Sequence, residues 1–192
     1  MGYVHAKPLK IVEIRSITQD IRRFLKLSDN ERINAPKLLD ALCVLWEDYG
    51  FQYMVLPDDD PVFEKGEEAK TDISSGMIFI KESVMREACR HKYKRAPFTI
   101  CHEIGHFVLH RMLGGVSLAR STSERKPRTF EDPEWQADTF ASEFLMPASV
   151  AKGMSAEQIR KTYCVSRACA EYRREKLGGD YIVEEIKKYL KI

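Results

Sequence analysis

The chain has 192 residues, 44% of them hydrophobic and 31% charged, and its 31 Lys and Arg nearly balance its 29 Asp and Glu for a formal net charge of +2. That length buries a full core, and the near-neutral balance supplies no overall field of the kind that marks a binder of nucleic acid or of a membrane surface. Five cysteines, an odd number without a C-x-x-C pair, argue for reduced thiols in a cytosol and against a cysteine-rich zinc site.

The first eight residues, Met1 to Pro8, lack the apolar core of a signal peptide, and no apolar run reaches bilayer length, so a cytoplasmic protein is expected. Ile11 to Leu27 then reads as an amphipathic helix, Lys37 to Tyr49 as a second, and Phe51 to Leu56 as a strand. Asp58-Asp59-Asp60-Pro61 breaks the chain, and a loop follows to about Ser75. Met77 to Lys81 is a short β-favouring run, either an edge strand that binds an extended peptide through Met77, Ile78, Phe79 and Ile80, or an ordinary interior strand. A helix from Ser83 to about Lys92 precedes another that Pro97 opens and that meets no breaker from Phe98 to Gly114-Gly115. From Gly114 to Glu131 the chain is polar, basic (Arg120, Arg125, Lys126, Arg128) and too long for a plain connection; lid, docking surface and disorder are the readings open to it. Asp132 caps a further helix, with Pro133 at its first position, that runs to Pro147. Ser155 and Gln158 form a capping box for a short helix, and after Cys164-Val165-Ser166 a second begins at Arg167. This hairpin resembles a helix-turn-helix with Arg167, Arg173, Arg174 and Lys176 on its second helix, but Glu171 and Glu175 dilute the charge, and many such hairpins serve only packing. Two or three short strands among six or seven helices make the fold class α+β and mostly helical.

The most constraining segment is His102-Glu103-Ile104-Gly105-His106, because two histidines four apart on a helix point the same way and can grip one metal ion. Phe98, His102, Gly105, His106, Leu109 and Leu113 recur at helical spacing, so both histidines face the interior, while Glu103 lies about 100° round from His102. Gly105 costs about 1 kcal/mol against Ala in a helix interior, which close approach of a second helix would explain. Taken alone, the motif is also compatible with a pair of hydrogen-bonded core histidines. What disfavours that is the helix after Asp132, whose apolar stripe is Ala137, Phe140, Ala141, Phe144 and Leu145. Extended backwards, it brings Glu134 and Asp138 onto or beside the buried face, where carboxylates need a cation or a donor. A catalytic zinc site satisfies both: Glu134 completes three ligands with His102 and His106, and Asp138 accepts the free ring N–H of a ligating histidine. Glu103 is then the general base. Glu143 falls on the polar side of its helix, Cys101 points away from the metal into the core, and His110 lies too far along to share a metal with His102, which leaves it supporting the site or packing.

The segments Phe98–His110 (FTICHEIGHFVLH) and Glu134–Pro147 (EWQADTFASEFLMP) resemble those of the ImmA/IrrE metallopeptidases, with Ser75–Lys81 similar to the strand that precedes the motif helix. The resemblance covers roughly residues 35–178. Gln136 stands where many members carry a second Glu, which leaves Glu134 the acidic residue of that pair. The resemblance implies a zincin-like core, one zinc ion per chain, and an intracellular endopeptidase whose protein substrate is a helix-turn-helix transcriptional repressor. The expected organisation is an N-terminal helical region with the first strand (1–60), a catalytic core (61–150) and a C-terminal helical hairpin (151–192), together one compact unit. The competing function is a module that binds a partner or DNA and whose metal site is structural or silent.

Overall fold

The computed structural model describes residues 4–90, 95–114 and 126–190, with side chains to residue 178. Along the chain run α1 (Ile11–Phe24), α2 (Ala35–Leu45), β1 (Gln52–Leu56), β2 (Ala69–Asp72), β3 (Met77–Lys81), α3 (Glu82–Cys89), α4 (Ala96–His106), α5 (Pro133–Leu145), α6 (Ala148–Ala151), α7 (Ala156–Tyr163) and α8 (Arg167–Leu190). The α+β expectation holds: the structure is mostly helical around one small sheet. Helix starts follow the chemistry of their caps. The Asn34 side chain accepts from Lys37 N and Pro36 occupies the first turn, so α2 begins before Lys37; it ends at Leu45, where Glu47–Tyr49 tightens into a 3-10 turn closed by Gly50 at φ +74°. Asp132 caps α5 and the Ser155/Gln158 box caps α7, as expected. Helix α8 runs through Gly178-Gly179 to Leu190.

The segment expected as a loop up to Ser75 contains β2, and this changes the sheet. The strand order is β1-β3-β2, with β1 parallel and β2 antiparallel to β3. Met77–Lys81 is therefore the middle strand, paired on one side with Gln52–Leu56 and on the other with Ala69–Asp72. The edge-strand reading of Met77, Ile78, Phe79 and Ile80 does not hold: both backbone edges are occupied, and Ile78 and Ile80 are fully buried. The hairpin is built by Asp72, whose carboxylate accepts from the Ser74 and Ser75 hydroxyls and whose carbonyl accepts from Gly76 N. Gly76 sits at φ +85°, and a Cβ there would lie 2.5 Å from the Gly50 carbonyl oxygen, so the turn admits only glycine.

Helix α4 packs against β2 and β3 on one side and against α5 on the other; α1 covers α5, and α6 and α7 pack against α8. Buried apolar residues from Ile14 to Leu177 join in one cluster, so the N-terminal helices, the sheet and the C-terminal hairpin share a core. Beyond His106 the helix widens into a π-helix, Phe107–Met112, and Phe107 packs against both Trp46 and Phe51 at ring-centroid distances of 5.9 and 4.8 Å, which fixes the end of α4. Among the described residues no helix is long and apolar enough to cross a membrane.

Candidate metal centre

One face of α4 presents His102 and His106, and the first turns of α5 bring Glu134 and Asp138 opposite them. The four side chains converge. His102 Nε2 and His106 Nε2 are 2.9 Å apart, Glu134 Oε2 lies 3.3 Å from the first and Glu134 Oε1 3.4 Å from the second, so one ligand atom from each residue falls within 4.8 Å of the others. Zinc–nitrogen bonds of about 2.0–2.1 Å at a tetrahedral angle set ligand atoms about 3.4 Å apart, close to these separations. Asp138 Oδ1 accepts from His102 Nδ1 at 2.9 Å, as expected of the residue that fixes that ring.

The donor set fits a cation on a second ground. With Nδ1–H committed to Asp138, only Nε2 of His102 is left to face His106 and Glu134. Burial disfavours a charged ring here, but Asp138 and Glu134 outweigh it and raise the His102 pKa to about 10. In return, His102 and then His106 hold the Glu134 carboxyl far below the usual carboxylate range, against the opposing effect of burial. Positive charge is thus stabilised at the point where the three ligand atoms meet. A proton on His102 Nε2 supplies it when no metal is held, and a metal ion would displace that proton.

Glu103, on α4 between the histidines, is not part of the ligand group. Its side chain is buried, and its Oε2 accepts from Thr71 Oγ1 of β2 at 2.7 Å. The cleft over these residues measures about 460 Å³ and runs along β2, with Lys70, Thr71, Phe98 and Thr99 in its walls. Glu68 ties the start of β2 to α4 by accepting from Thr99 Oγ1 at 3.0 Å, and Arg111, just past the motif, donates to the carbonyls of Tyr49, Ile73 and Ser74 at 3.1, 2.8 and 2.6 Å, so the strand is pinned at both ends.

Several placements differ from the sequence reading. Glu134 and Asp138 were expected on or beside the buried face, yet their side chains are 69% and 48% exposed, because α5 begins at the lip of the cleft and the carboxylates reach in from its rim. Glu143, placed on the polar side, is 2% exposed and accepts bidentate bonds from both Arg15 and Arg173. Arg173, read as part of a basic face of the hairpin, is itself 2% exposed and consumed by that pair and by the Met146 carbonyl. Cys101 is core, its thiol pushed well up by burial. His110, 2% exposed, sits one wide turn beyond His106 with the two rings tilted against each other, and burial first, then the neighbouring His106, pushes its pKa down to about 4. Its Nδ1 lies 3.0 Å from His106 Nδ1 and its Nε2 3.1 Å from Gln136 Oε1. Thr71 and Gln136 are the site residues the sequence reading did not assign; Thr71 lies in a four-residue strand without alternation, and Gln136 stood out only as a departure. Of the basic connection, residues 115–125, including Arg120 and Arg125, lie outside the described residues; Lys126 borders a cavity of about 450 Å³ beside His106 and Glu134.

The family described as the IrrE N-terminal-like domain, peptidase M78, matches residues 64–174, a span that holds β2, α4 and α5 and so every residue of this centre. No curated protein matches the chain.

Proposed function

The chain belongs to the IrrE N-terminal-like family of M78 peptidases, and from that premise we propose that it is a zinc-dependent endopeptidase acting on a specific intracellular regulatory protein, a helix-turn-helix repressor. The observation that carries the reading is the convergence of His102 Nε2, His106 Nε2 and a Glu134 carboxylate oxygen beside a separate, buried carboxylate, Glu103. Two histidines and one carboxylate are the donor set of hydrolytic zinc, with a fourth position open. Zinc held by His102, His106 and Glu134 would supply a Lewis acid that brings the pKa of water there to about 7 and polarises the scissile carbonyl.

The rest of the chemistry belongs to side chains of the chain. Glu103 takes the proton from the attacking water and returns it to the leaving amine; the Thr71 hydroxyl orients that carboxylate by donating to Oε2, leaving Oε1 for the water. Asp138 holds the His102 ring in place. The extended substrate lies along β2, which among the described residues has β3 as its pairing partner and presents its other edge beside the cleft. No serine, threonine or cysteine nucleophile is required.

Replacing Glu103 with Gln tests this. The ligands stay in place, so zinc content remains about one per chain while cleavage of the regulatory protein falls about 10²–10⁴-fold, the usual worth of a general base. A Glu103→Gln protein that retains its biological effect would show that the chain acts by binding.

A further inference from the structure

The two histidine ligands are supported in different ways. His102 leans on a carboxylate, which can only accept, so its Nδ1 must carry hydrogen. His106 leans on another imidazole, and two facing ring nitrogens form a bond only if one is protonated and the other bare. Nothing within that pair decides which.

The decision is made at Gln136. Its Nε2 lies 2.8 Å from the carbonyl oxygen of Lys7 and 2.8 Å from that of Phe130. Two carbonyls require two donors, so the amide cannot turn round, and Oε1 is left to face His110 Nε2 at 3.1 Å. An amide oxygen accepts; His110 therefore carries its hydrogen on Nε2 and offers a bare Nδ1. His106 must donate into it from Nδ1, which leaves the lone pair of His106 on Nε2, at the meeting point with His102 and Glu134. Gln136 and His110 are 0% and 2% exposed, so no solvent competes for these bonds.

We propose that Gln136 is a positioning residue for the metal: through His110 it holds His106 in the one tautomer that can ligate, and it takes its own orientation from the backbone of the N-terminal arm. That arm is laid against the segment before α5 by Ala6 N donating to Glu131 O at 2.8 Å and Leu9 N to Phe130 O at 3.0 Å, so residues at the far end of the sequence are wired into the centre. A glutamate at 136 would accept from His110 equally well but would set its second oxygen against two carbonyl oxygens; glutamine suits a protein in which the arm docks there. The inference rests on the metal-site reading, but its first readout does not.

The test compares full-length wild type with Gln136→Met and Gln136→Glu. Histidine ¹H–¹⁵N spectra of the metal-free proteins report which ring nitrogen of His106 and His110 is protonated; competition against a chelator reports zinc affinity; amide exchange reports the arm. Wild type is expected to show His106 protonated on Nδ1 and His110 on Nε2. Gln136→Met, similar in volume, is expected to mix the tautomers of both rings and weaken zinc binding about 10–100-fold, as loss of a ligand's supporting partner does. Gln136→Glu is expected to keep both tautomers and bind zinc within about threefold of wild type while the Ala6 and Leu9 amides exchange faster. Wild-type tautomers persisting in Gln136→Met, or zinc weakened equally in the two variants while both stay folded by circular dichroism, would overturn the proposal. A wild-type protein with the stated tautomers and no zinc affinity would refute the metal site and leave the relay standing.

Discussion

Glu103 owes its setting to one hydroxyl. A hydrogen bond to a charged group contributes about 1.5–3 kcal/mol, and the Thr71 bond at 2.7 Å is of that kind, so Thr71→Val should lower turnover about tenfold to a hundredfold while zinc content, read by elemental analysis, stays unchanged. His102 sets a pH dependence. Its pKa is raised from about 6.5 to about 10, so its contribution to the metal-free fold is fully present below about 6.5 and is lost as pH rises through about 10. Zinc must displace that proton, so apparent affinity by chelator competition should climb across the same window with about one proton released per ion; an affinity flat from pH 6.5 to 9 would contradict it. At this scale the convergence of His102, His106, Glu134 and Asp138 was legible, because helical spacing alone puts them on facing stripes. Thr71 was not, since a contact 32 residues away in sequence leaves no periodic trace.

The approach of α4 to α5 sets how far the histidines stand from Glu134, and it passes through Gly105. A Cβ added there would meet Phe140 Cβ and Cδ1 at 3.1 Å, and Phe140 is fully buried and stacked on Phe144, so it has little room to yield. Gly105→Ala should gain about 1 kcal/mol of helix propensity and lose about 1–3 kcal/mol to overpacking, for a small net loss in thermal unfolding with a larger fall in zinc affinity as the helices part. Shortening Phe140 in the same protein should restore part of that affinity. The close approach was readable from a glycine in mid-helix, and the caps of α5 and α7 from Asp132-Pro133 and Ser155/Gln158. Strand β2 was not readable: Ala69-Lys70-Thr71-Asp72 is too short and too polar to declare itself, and without it the sequence left β3 open between an edge and an interior strand.

Three helices far apart in sequence meet at Glu143, which joins α5 to α1 through Arg15 and to α8 through Arg173. Burial disfavours the Glu143 carboxylate, but the two guanidiniums outweigh it and depress its pKa, so its contribution is full above about pH 4.3 and is lost as pH falls through the depressed value. Glu143→Ala leaves both arginines without that partner and should cost about 3–5 kcal/mol in denaturant unfolding, with Glu143→Gln flattening the acid limb of the stability profile. The sequence placed Glu143 on a polar face because a helical stripe reveals one packed side, whereas α5 is enclosed by α1, α4 and α8. Arg15 lies outside residues 64–174, so that span cut out alone should expose the α5 face and fail to unfold cooperatively. The brevity of β2 bears on how a substrate is chosen. Four residues offer an added strand at most about four main-chain bonds, each about 0.5–1.5 kcal/mol net, a sum largely consumed by the cost of association. Under the proposed activity, short unstructured peptides should consequently be cut far more slowly than an intact protein target that also contacts the chain away from the bond that breaks.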